Sequence, residues 1–121
     1  MTKPDFSHEE KGGVLIQDIT DWDGDPGQTD EFESEWIDRA QSSGITGAVT
    51  EFGDDILVDD ETKDHFAEIW GDAADDVNIK RLALVAPGIT SRAIGANIDS
   101  NVVDIRSFSD VDKAFDWASD I

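Results

Sequence analysis

Apolar and polar positions along the chain switch between two periods. Val14-Leu15-Ile16-Gln17-Asp18-Ile19 is a β-rich run that predicts a largely buried strand. Ahead of it, Phe6–Glu10 turning at Gly12-Gly13 predicts a hairpin strand, with a frayed polar tail over residues 1–12 as the alternative. Turn residues dominate Asp21–Gly27, which reads as a loop. A helix capped by Thr29 or Asp30 follows, with Phe32, Trp36, Ile37 and Ala40 as its apolar side and Gly44 as its stop. Ile45–Phe52 reads as a strand with a small-residue step at Gly47-Ala48, and Gly53–Asp60 as a connection. Phe66, Ile69, Trp70, Ala73, Ala74 and Val77 then recur on one face of a 3.6-residue period and predict an amphipathic helix.

Arg81–Ala86 is a short apolar strand ended by Pro87-Gly88. Thr90 or Ser91 starts a short helix over Ser91–Asn97, Val102–Phe108 reads as the last strand, and Ser109 or Asp110 caps a final helix faced by Val111, Ala114, Phe115 and Ala118. Strands alternating with helices predict an α/β domain: a four- to five-stranded, mainly parallel sheet with helices packed on it. A single domain over residues 13–121 accounts for the pattern, with residues 1–12 as tail or hairpin strand. Phe66, Ile69, Trp70, Leu82, Leu84, Val85, Val103, Ile105 and Phe115 are the expected core.

Charge changes this picture most. The 121 residues hold 29 acidic and 9 basic side chains, a net charge of −20. Asp outnumbers Glu by 21 to 8 and there are only 5 Lys. With 4 Trp and 6 Phe the chain still carries the apolar mass to fold. The composition resembles that of cytoplasmic proteins from extreme halophiles, whose carboxylates hold water and cations in molar salt. It implies repulsion from phosphate backbones and anionic lipid surfaces, so neither nucleic-acid binding nor membrane insertion is expected. No run reaches the length of a membrane span and no apolar signal core opens the chain, so a cytoplasmic location is expected. Cysteine is absent, which excludes thiol chemistry.

Against an acidic background, single carboxylates carry little information. Asp21-x-Asp23-x-Asp25 offers clustered oxygens for a hard cation, but Pro26 and Phe32 stand where an EF-hand requires Gly and Glu. The same residues mimic the Asp-x-Asp start of haloacid-dehalogenase-like phosphatases, whose chemistry needs further partners that a chain this short has little room for. His65 reads as a partly exposed helix residue, because no nucleophile pairs with it by spacing; His8 lies in the polar N-terminus and carries no signal. Gly88, Thr90, Ser91 and Arg92 join a strand end to a helix start, where free amides and a guanidinium could hold a small anion; ordinary capping by Thr90 or Ser91 is the alternative. Trp22, in a polar loop, is either an exposed anchor for a protein partner or a ring folded back over the sheet edge.

The second half of the chain resembles the SpoIIAA-like branch of the STAS domains, a group also described as similar to CRAL-TRIO folds. The resemblance rests on the helix around His65-Phe66-Ala67, the strand Lys80–Val85, and the tail Val103–Phe108 followed by Ala114-Phe115-Asp116-Trp117. It implies a sheet of four or five strands with one antiparallel hairpin strand. Anti-sigma-antagonist STAS domains carry a phosphorylatable Ser or Thr in an Asp-Ser-Ser-Gly-like turn. Here that place reads Asp59-Asp60-Glu61-Thr62-Lys63, and the carboxylates around Thr62 would repel a phosphate. The expectation is a non-catalytic binding or regulatory domain acting through a protein partner, without a cofactor. A domain for a lipid-like or small anionic ligand, and a metal-assisted enzyme using Asp21, Asp23 and Asp25, are the alternatives.

Overall fold

A computed structural model describes residues 5–22, 27, 29–41, 44–53, 60–70, 72–73, 77, 79–86 and 103–120. These form one five-stranded sheet: β1 (Ser7–Lys11), β2 (Val14–Ile19), β3 (Gly47–Phe52), β4 (Arg81–Val85) and β5 (Asp104–Phe108), lying side by side in that order. β1 and β2 are an antiparallel hairpin, and β2 to β5 run parallel. Gly12 and Gly13 make the hairpin turn with φ of 57° and 83°, a left-handed pair that side chains with a Cβ rarely adopt. The polar N-terminal segment is thus an edge strand.

The helices are α1 (Asp30–Ala40), α2 (Asp60–His65), a π-helical turn (Phe66–Trp70) and α3 (Val111–Ser119). One face of the sheet, through Leu15, Ile19, Ala48, Phe52, Leu82 and Leu84, packs against Phe32 and Trp36 of α1 and Trp70 of the π turn. The other face, through Val14, Val49, Ala83 and Val85, packs against Ala114 and Ala118 of α3. Burial on both faces explains why the parallel strands read as continuous apolar runs. Asp110 caps α3 by accepting the Asp112 amide at 2.9 Å. The small step at Gly47 lies against the end of α3: a Cβ there would collide with the Ala118 carbonyl oxygen.

The amphipathic period across Phe66–Val77 is broken by the π turn. A π turn closes i→i+5 hydrogen bonds, so it holds more residues than an α turn and shifts the phase of the face. Trp70 stays in the core, whereas Ile69, expected beside it, is 44% exposed. It is the exposed large apolar side chain among the described residues. Val77, Leu82, Leu84, Val85 and Val103 are buried, and Ile105 and Phe115 are partly buried against the two cores. The side chain of Phe66 lies outside the described atoms. No helix among the described residues is long and apolar enough to cross a membrane.

Candidate functional site

Gly88, Thr90, Ser91 and Arg92, the candidate anion edge, lie outside the described residues, as do Asp23 and Asp25 and the side chain of Thr62. Asp21 is described, and its Oδ2 accepts the Asp5 amide at 2.8 Å, so it ties down the segment that leads into β1. Among the described residues no group of three His, Asp or Glu is placed to hold a metal ion. Trp22 is 1% exposed, which removes it as an exposed anchor. Its ring is enclosed by Phe32, Phe52 and Trp70 at centroid distances of 5.6, 6.3 and 5.9 Å. The polar loop delivers an aromatic residue that folds back over the sheet, because the apolar gain of burying an indole outweighs its polar neighbours.

The clearest polar cluster joins α1 to the π turn. Glu33 Oε2 accepts from His65 Nε2 at 2.6 Å and from the Trp70 indole N–H. Thr29 Oγ1 lies 3.3 Å from the same His65 nitrogen. Thr29 is the N-cap of α1 but makes no side-chain cap bond; its hydroxyl turns to His65 instead. Hydroxyl, imidazole and carboxylate together suggest a nucleophile relay, yet the geometry does not support one. Both contacts use one ring nitrogen, and Thr29 is fully buried. A base must take the hydroxyl proton at one nitrogen while the acid orients the other. The cluster acts as a clasp between two segments far apart in sequence.

Beside the clasp, a pocket opens between α1, the π turn and the sheet. Glu33, Trp36 and Ile37 come from α1, Ile69, Trp70 and Ala73 from the π turn and beyond, and Gln17, Thr50 and Leu82 from three adjacent strands. It gives solvent about 40 Å³ of room, within about 400 Å³ of atom-free space that includes its open mouth. This is too little enclosed space for a lipid chain.

Behind Gln17 sits His8, whose side chain is fully buried. Its Nε2 is 2.7 Å from Gln17 Oε1, so the neutral ring donates there. Nδ1 has no hydrogen-bond partner and faces Glu35 at 3.7 Å. Burial holds the ring's pKa below its ordinary value of 6.5; the Gln17 bond and Glu35 oppose this, and Arg39 adds to it. The unfolded chain therefore binds a proton more readily than the folded one. Stability is expected to be intact above pH 6.5 and to fall as pH drops through 6.5 toward the folded-state value. Urea titrations between pH 7.5 and pH 5.5 check this, with the loss expected to shrink in His8→Phe; an equal loss in both proteins would assign it to other groups.

The opposite face carries a contrasting arrangement. Trp117 of α3, half-buried against Phe108, has the guanidinium of Arg81 5.1 Å and that of Arg106 5.2 Å from its ring centroid. Arg81 Nη1 also donates to the Trp117 carbonyl at 2.7 Å, the favourable place for a cation at a helix C-terminus. Lys11 lies 5.2 Å from the Phe115 ring centroid on the same helix. Among the described residues none of these three cations pairs with a carboxylate. No spacing rule brings these residues together, since Arg81 and Trp117 meet across 36 positions.

Comparison of the chain with protein-family models, with curated proteins and with solved structures found no match.

Proposed function

We propose that this chain is a small, non-catalytic binding and regulatory domain of STAS-like architecture, and that it acts through a protein partner docking on α3. The STAS-like reading draws support from the sheet, in which one antiparallel hairpin strand precedes parallel strands. Folds of this kind host many functions, so the partner reading rests on the site. The observation that carries it is the stack of Arg81 and Arg106 on Trp117. In a chain with 29 acids, surface carboxylates are the background, and two of the four arginines gathered over one half-exposed indole depart from it. Trp and Arg are the residues that dominate binding hot spots. The complementary surface is acidic, and contact at van der Waals range survives the short screening length of molar salt.

A photo-crosslinking residue at exposed Asp116, between Phe115 and Trp117, tests the reading in cells or in high-salt lysate. A discrete adduct is expected from Asp116, lost with Arg106→Glu and absent when the crosslinker replaces exposed Asp38 on α1. Equal adducts from both positions, or indifference to Arg106→Glu, would overturn it.

A further inference from the structure

We propose that β1 is an acid-released strap: when His8 takes up a proton, the strand lifts off the edge of β2 while β2–β5 and the helices on them keep their fold. The proposal does not rest on the partner reading, whose leading observation lies on α3. It starts from how lightly β1 is attached. Four of its five residues are exposed, against none of the six in β2. Beyond the pairing with β2, the strand is held by Phe6 against Phe32 at 6.0 Å, by the Asp5 amide on Asp21 and by Lys11 over the Phe115 ring. Segments with few buried apolar contacts open at a fraction of the global unfolding free energy.

His8 is the titratable side chain that this light strand buries completely. Its ring packs edge-on to Phe6 at 5.6 Å, and its Nε2 is committed to Gln17, itself only 3% exposed. A proton would therefore go to Nδ1, which has no hydrogen-bond partner. The charged groups around the ring are few. From α1, Glu35 Oε2 lies 3.7 Å from Nδ1, beyond hydrogen-bond reach, and Arg39 acts on the ring as a like charge. Glu35 is already turned to Arg39, with Oε1 accepting from Nε at 3.1 Å and 3.1 Å from Nη2. β2 presents the neutral Gln17. On β1 itself, Glu10 alternates to the same side as His8 and is exposed to solvent.

An imidazolium formed here would have one hydrogen-bonded acceptor, one carboxylate out of reach and a guanidinium nearby. Water answers both ring N–H groups once the strand has lifted, and a buried charge without that answer is costly. Burial accordingly holds the docked ring's pKa below 6.5, and Gln17 and Glu35 recover only part of the loss. The released strand binds the proton more tightly, so release is favoured as pH falls below 6.5. The apolar core is largely untouched by the departure, because β2 keeps its parallel partner β3 and the helices pack on β2–β5.

Native-state hydrogen exchange in molar KCl tests this, read as protection factors at pH 7.5 and pH 5.5 with and without sub-denaturing urea. The β1 amides bonded to β2 are expected to lose protection at pH 5.5, by up to about tenfold, the ceiling that one group titrating at 6.5 in the released strand sets. Their opening is expected to depend little on urea, whereas amides of β3 and β4 open with a steep urea dependence, since only theirs exposes the core. His8→Phe is expected to abolish the acid-induced loss, and Glu35→Gln, which removes the carboxylate facing Nδ1, to keep or deepen it. A urea dependence in β1 as steep as in β3 would make the opening global and overturn the proposal. Unchanged or increased protection at pH 5.5, or a smaller loss in Glu35→Gln, would overturn it by showing that the protonated ring clamps onto Glu35. A loss that survives in His8→Phe would also overturn it, by assigning the release to other groups.

Discussion

Trp22→Ala is expected to remove about 3–5 kcal/mol of stability, the range for truncating a buried aromatic residue. The indole is 1% exposed and touches rings from three other elements: Phe32 of α1, Phe52 of β3 and Trp70 of the π turn. Its backbone N–H donates to the Ile19 carbonyl at 3.0 Å, which fixes the turn leaving β2. Alanine would leave a void among groups held by other contacts. Trp70 is tied to Glu33, and Phe52 stacks on Trp70 at 5.6 Å, so the site has little freedom to collapse. Against a typical domain stability of about 5–15 kcal/mol, this is a large share. Urea unfolding in molar KCl followed by circular dichroism measures it. A loss under about 1 kcal/mol would mean that Trp22 does not hold the core together. Such a result would also reopen its role as a surface anchor.

Thermal stability is expected to rise steeply from dilute buffer to molar KCl. Twenty-nine acidic side chains face nine basic ones, and among the described residues the carboxylate–guanidinium pair is Glu35 with Arg39 at 3.1 Å. Most of the negative charge therefore has no nearby cation of its own. At about 0.1 M salt the screening length is about 10 Å, so neighbouring carboxylates repel across the surface; at about 1 M it shrinks to about 3 Å. One local case is visible in the sheet. Asp18 and Glu51 are register partners on β2 and β3, and burial first, then the Asp18 charge, raises the Glu51 pKa. Melting scans across a KCl series check the expectation. A flat response would overturn the reading of the acid excess as an adaptation to salt.

Much of the secondary structure was legible because it is written in local signals. Gly12-Gly13 before an apolar run marks a hairpin wherever it occurs, and Asp110 caps α3 through an amide two residues away. The alternation of strand and helix came from the period of apolar residues, which the backbone imposes. Boundaries moved little: the strand expected over Ile45–Phe52 spans Gly47–Phe52, and the one expected over Arg81–Ala86 spans Arg81–Val85.

The order of elements, most core positions and the electrostatic character of the surface are therefore readable from the residues in line. Which side chains meet depends on how the layers pack. Glu33 and His65 are 32 positions apart and share no spacing rule, yet the clasp they form accompanies a π turn that swings Ile69 out of the face its period predicts. His8 looked like a polar terminal residue until strand pairing placed its ring against Gln17 and inside the protein. Gln17 and Thr50 each read as ordinary strand positions, and only the β2–β3 register sets them side by side beneath Trp36. Periodicity reports how one segment divides between inside and outside. It carries no information about what the inside of another segment presents to it, because that depends on chain topology and on the depth at which each layer packs.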